Sequence, residues 1–128
     1  TIKGAQEIIN KMRNTVRQAQ ARIYLSANSR MLELLLPELQ AALQRGLKVV
    51  VIGDKSFSLP GAICYGTNKQ SEQIRLIADS HTVLTGDLQD DEDSNCLYSC
   101  KRNLVDLFKE ALQNEIALIK LQKGDINV

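Results

Sequence analysis

The chain has a single histidine, His81, so no pair of imidazoles can close on a metal ion within it. Its three cysteines are an odd number, which argues against a disulfide framework and suits a reducing, cytoplasmic setting. Charge nearly cancels, with 16 Lys and Arg against 15 Asp and Glu, so bulk electrostatics do not make the chain a polyanion binder. No apolar run approaches the roughly 20 residues that span a bilayer, and no secretory signal pattern is present, so no membrane contact is expected. Internal repeats and low-complexity linkers are also missing. What remains is 128 residues with 44% hydrophobic content, enough for one domain with one packed core. The first residue is Thr1 rather than Met, which suggests a piece of a longer protein.

Apolar spacing sets the order of elements. Ile2, Ala5, Ile8, Ile9, Met12, Val16 and Ala19 recur every three or four residues and predict a helix from Gly4 to Ala21. Its solvent side is basic: up to Arg30 there are six cations (Lys3, Lys11, Arg13, Arg17, Arg22, Arg30) against one acid, Glu7. Such a face could touch DNA phosphates, or it could simply be solvated. Arg22–Ser26 reads as a short buried strand. Ser29 can cap a second helix that contains Pro37 and ends at Arg45-Gly46, where Gly can take the left-handed conformation. Leu47–Ile52 is a β-branched run without alternation, as expected of a parallel strand buried on both faces. Residues 53–71 read as irregular. Gln73–Ala78 and Thr82–Leu84 read as a hairpin turning at Ser80-His81. An acidic loop follows, then a last strand at Cys96–Cys100 and a helix at Asn103–Lys120. The expected fold is α/β, a mixed sheet flanked by helices, with a right-handed crossover making Ile23–Ser26 and Lys48–Ile52 parallel.

One stretch, Glu72 to Gly86, carries a recognisable frame. Asp79 and Gly86 are separated by six residues, with an apolar strand on each side of a tight turn. This resembles the phospholipase D signature, His-x-Lys-x4-Asp followed by x6-Gly-Ser-x-Asn. In that alignment Glu72 stands at the His position, Ile74 at the Lys position and Asp87 at the Ser position. A carboxylate cannot replace a near-neutral imidazole nucleophile, and Ile cannot grip a phosphate. Ala41-Ala42-Leu43-Gln44-Arg45-Gly46-Leu47-Lys48-Val49, and the pattern of Ile2, Gly4, Glu7 and Ile8 followed by Ile23-Tyr24-Leu25-Ser26, extend the likeness. The whole chain is similar to the effector-sensing region of TrmB-type transcriptional regulators. That resemblance implies a phospholipase D-like mixed sheet flanked by helices, a domain without catalytic residues, preceded in the full protein by a winged helix-turn-helix. Several members respond to sugars, so it also implies a small polar metabolite, a sugar among the candidates.

Ligands of open α/β sheets gather beyond the carboxyl ends of the strands. Those ends supply Ser26, Asn28, Asp54 and Lys55, and the phospholipase D frame adds Glu72 and Asp87. Together these six are the candidate ligand-binding residues; no catalytic residue, metal site or cofactor is expected. Other chemistries fail on spacing. Asp54 lacks the acidic pair that a response-regulator phosphoacceptor needs to hold Mg²⁺. Gly53-Asp54-Lys55-Ser56 lacks the upstream glycine of a P-loop. The run Asp87–Asp93 lacks the glycine and terminal glutamate of an EF-hand. Cys96 and Cys100 on one strand would stand about 13 Å apart, too far to share zinc, and are expected to pack as small hydrophobes on one face. The functional expectation is a non-enzymatic, small-molecule-sensing domain that forms a homodimer through its first or last helix, with Ile116 and Ile119 as candidate contacts. DNA would be reached only through a domain outside this chain. The alternatives are a phospholipase D-type phosphodiesterase fragment and a ligand-free dimerisation domain.

Overall fold

The computed structural model describes residues 2–68, 73–87 and 94–125. In chain order the elements are β1 (Ile2–Lys3), α1 (Ala5–Gln18), β2 (Arg22–Ser26), α2 (Ser29–Gln44), β3 (Lys48–Asp54), β4 (Ile63–Thr67), β5 (Gln73–Ala78), β6 (Thr82–Asp87), β7 (Asn95–Ser99) and α3 (Arg102–Asp125). The strands form one mixed sheet in the order β1-β7-β6-β5-β2-β3-β4. β2, β3 and β4 run parallel, whereas β5, β6, β7 and β1 follow antiparallel.

Helices cover both faces. α1 and α2 bury Ile8, Met12, Val16, Leu32, Leu35 and Leu39 against Ile23, Leu25, Val49, Val51, Ile74 and Leu76. α3 buries Val105, Leu112 and Ile119 against Ile52, Ile77 and Val83 on the other face. β3 therefore sends Val49 and Val51 one way and Ile52 the other, which accounts for its unbroken apolar run.

Local chemistry sets the joints. Asn28, one residue before the expected cap, accepts from Met31 N at 3.0 Å and starts α2. At its end, Gly46 (φ 86°) donates to the Leu43 carbonyl at 3.0 Å and Leu47 to the Ala42 carbonyl at 3.1 Å. This is a Schellman closure, and it turns the chain directly into β3. The Arg45 guanidinium reaches back to the carbonyls of Val16 and Ala19, both at 3.1 Å, and so caps α1. α1 is shorter than its apolar pattern suggested, because Ala19 already has an extended backbone.

Three expectations are corrected. Residues 53–71 contain β4, paired in parallel with β3 from Val50↔Ile63 to Asp54↔Thr67. The hairpin turns at Asp79-Ser80, not Ser80-His81: both have positive φ (57° and 54°), and His81 N donates to the Ala78 carbonyl at 3.0 Å. That is a type I′ turn, whose twist matches the strands it joins. Cys96 and Cys100 do not share a face: Cys96 is buried in the core, whereas Cys100 lies beyond β7, exposed and 3.6 Å from Thr82 Oγ1. The basic side of α1 is also less free than its composition implied. Arg13 Nε lies 3.2 Å and Arg17 3.6 Å from the buried Glu38 carboxylate on α2, and the Lys11 ammonium sits 3.9 Å from the Tyr98 ring centroid.

Candidate functional site

The carboxyl ends of β2, β3 and β6 lie along one edge of the sheet, and five of the six candidate residues are described there. Ser26 is buried, and its hydroxyl accepts from Arg75 at 3.0 Å. The same guanidinium nitrogen pairs with Glu115 of α3. Both charged side chains are mostly buried, about 17% and 16% exposed, so the three residues tie β2, β5 and α3 together. Asn28 is committed to capping α2. Asp54 accepts from Ser56 N at 2.9 Å and from the Ser56 hydroxyl. Hydrogen bonds from Ser56 hold its carboxyl below the usual range, side chain first and backbone second, with burial opposing them. Lys55 is exposed, and its stem packs where a side chain at Gly66 would otherwise stand. Asp87 is half-buried and pairs in register with Gln73 and Asn95. Glu72 and the acidic residues after Asp87 lie outside the described residues.

Strand order limits what these groups can do together. Ser26 and Asp54 end neighbouring parallel strands. Asp87 stands three strand spacings from β3, about 14 Å at ~4.8 Å per spacing, beyond the reach of one monosaccharide. Arg75 and Glu115 were missed from sequence. The available signals were a cation between Ile74 and Leu76 in an apolar strand, and an acid interrupting the apolar face of α3.

The phospholipase D frame divides into structural and chemical positions. The Asp79 carboxylate accepts from the backbone N–H groups of Ala21 (2.7 Å), Gln20 (3.0 Å) and Arg22 (3.1 Å), which fastens the α1–β2 loop to the hairpin. Burial works against its charge, but those three amides and the Arg22 charge outweigh burial and hold the carboxyl below its ordinary value. A Cβ on Gly86 would fall 2.7 Å from Cys96 Cα, and closer still to Cys96 Cβ and the Asn95 carbonyl, so β7 can approach only a glycine there. Ile74, at the Lys position, is 1% exposed and packs in the core under α1 and α2. The two residues that keep the motif's types serve the fold, and Ile74, at the lost lysine position, points into the core.

A sequence model for the N-terminal subdomain of the effector-binding domain of transcriptional regulator TrmB matches residues 1–111. The chain belongs to this TrmB effector-binding family. No curated protein matches the sequence. Among solved structures, the TrmB-family chain is similar to TrmBL2, an archaeal chromatin protein whose structure shows a novel mode of DNA binding. The TM-score is 0.72 at 20% identity over 89% of this chain and 50% of that one, so the chain spans half the length of TrmBL2. It is also similar to NucT from Helicobacter pylori, with a TM-score of 0.68, 13% identity and 88% of each chain covered. A third likeness is to Nuc from Salmonella typhimurium, a phospholipase D family member, with a TM-score of 0.57 and 16% identity over 82% of this chain and 84% of that one. At these identities the likenesses establish a phospholipase D-like fold. No helix among the described residues is long and apolar enough to cross a membrane.

Proposed function

We propose that this TrmB-family domain senses a small polar metabolite, a sugar among the candidates, for a transcriptional regulator, and that it is not an enzyme. The observation that carries the reading is Ile74, buried at the position where the phospholipase D signature needs a lysine. A phosphodiester brought to this edge would find no ammonium at that place. The ligand would lie at the carboxyl edge near Asp54, Lys55 and Glu72, with the Ser26–Arg75–Glu115 network linking the edge to α3. Differential affinity for two arrangements of the domain or its dimer is the means by which such a ligand would act on DNA-binding parts elsewhere in the protein.

The homodimer proposed with it uses α3. Ile119 is not available, being buried against the sheet, and Ile116 is half-buried there. α1 keeps no large apolar side chain exposed, whereas α3 exposes Leu107, Leu118 and Leu121, each more than half accessible. Leu104, Ala111 and Leu118 are spaced by seven, as are Leu107, Asn114 and Leu121. This is the spacing that a second helix fills.

Thermal melting against a panel of mono- and disaccharides tests the sensing role. A concentration-dependent rise in Tm, reduced by Asp54→Asn combined with Glu72→Gln, is the expected result. An unchanged response in that variant would move the site elsewhere. Hydrolysis of bis-p-nitrophenyl phosphate that disappears in Glu72→Ala would overturn the non-enzymatic reading.

A further inference from the structure

A second concave site lies at the other end of the sheet, on the α3 face. It is a groove of about 320 Å³ between the β2–β3–β4 end of the sheet and the stretch of α3 from Gln113 to Lys120. Val50 and Ile116 supply apolar surface, Tyr24 and Tyr65 supply aromatic surface, and Lys48 and Lys120 supply charge. Among the described residues, no carboxylate lines it. Neither lysine has a carboxylate within ion-pair distance among the described residues. Instead each ammonium sits near a ring, Lys48 at 5.7 Å from the Tyr24 centroid and Lys120 at 5.6 Å from that of Tyr65.

This combination is selective. Two cations without a carboxylate favour an anion. An apolar lining disfavours bare phosphate or sulfate, because a fully hydrated ion leaves that surface wet. Two tyrosine rings favour a flat body that can stack. The volume sits at the lower end of small-molecule pockets. We propose that the groove is a binding site for a flat aromatic carboxylate, its ring system between Tyr24 and Tyr65 and its carboxylate held by Lys48 and Lys120. The site shares no residue with the carboxyl edge. It goes beyond the sugar-sensing reading, and either can fail without the other.

The test titrates the isotopically labelled 128-residue chain with 2-naphthoate, followed by NMR chemical-shift mapping. Saturable shifts are expected at Tyr24, Val50, Tyr65 and Ile116. The uncharged analogue 2-naphthamide should bind about tenfold more weakly, as should 2-naphthoate to a Lys48→Gln/Lys120→Gln variant. Both lysines are exposed, so that variant should keep the parent's spectrum elsewhere. Ala117→Trp, which fills the groove, should abolish the shifts. The proposal is overturned if no saturation occurs up to about 10 mM. It is also overturned if the shifts map to the exposed leucines of α3, or if acid and amide bind equally, which would make the groove a plain apolar surface.

Discussion

Three consecutive backbone amides, those of Gln20, Ala21 and Arg22, point at the Asp79 carboxylate, and Asp79 itself stands in the left-handed region. Asp79→Ala removes the acceptor and puts a residue with no polar side chain at positive φ. Urea melting should register a loss of about 3 kcal/mol. Because the folded pKa lies below the ordinary value of 3.8, this stabilisation is complete above that value and fades as pH falls through the depressed one. Asp79→Asn should therefore flatten the acid limb of the stability profile. The Arg75–Glu115 pair follows a different rule. Both partners are mostly desolvated, so Glu115→Ala strands a buried guanidinium and should cost about 3 kcal/mol. Arg75→Met combined with Glu115→Met should recover most of that loss in the same melt. If the double variant were no better than the single, the pair would hold the fold by more than its charge.

The β5–β6 hairpin shows how an element can tolerate a poor local choice. A type I′ turn needs positive φ at both central positions, which Asp tolerates and Ser does less readily. Ser80 takes φ 54°, and its buried hydroxyl has no hydrogen-bond partner among the described residues. Ser80→Gly relieves both faults and creates Asp-Gly, a favoured pair for this turn, so it should raise stability by about 1 kcal/mol in thermal melts. A fall in Tm would mean that the hydroxyl has a function that outweighs its strain. α3 makes a related compromise with its two faces. Val105, Leu112 and Ile119 serve the sheet, while Leu107, Leu118 and Leu121 on another face remain exposed.

At the scale of the whole molecule that second stripe is the surface proposed above for self-association. A pair of α3 helices would bury the exposed leucines around Asn114, a polar core position that can set register. Sedimentation should give a dimer mass for the parent chain. Leu107→Glu combined with Leu118→Glu should give a monomer with an unchanged fold, since both side chains are more than half exposed. A parent chain that remains monomeric at high concentration would remove α3 as a self-association surface for this domain.

Sequence alone determined what depends on periodicity and on residue type. The two-faced burial of β3 was legible in Val49-Val50-Val51-Ile52, the parallel β2–β3 pair in the intervening helix, and the α/β class in the order of elements. The phospholipase D-like frame was legible in Asp79 and Gly86, because a carboxylate that gathers amides and a glycine pressed by a neighbouring strand leave few substitutes. β4 was not legible: Ile63-Cys64-Tyr65-Gly66-Thr67 is short, carries a glycine and draws its place from pairing with β3. The turn residue was misplaced by one, since positive φ at Asp79 and Ser80 is set by the register of β5 on β6. Tertiary structure also decided which polar groups remain available to a ligand. Asn28, Asp54 and Ser26 look alike as strand-end residues, yet a cap, a local turn and a buried guanidinium engage them in different ways. The Tyr24–Lys48–Tyr65–Lys120 groove unites residues from β2, β3, β4 and α3, and only the packing of α3 across the sheet brings them to one place.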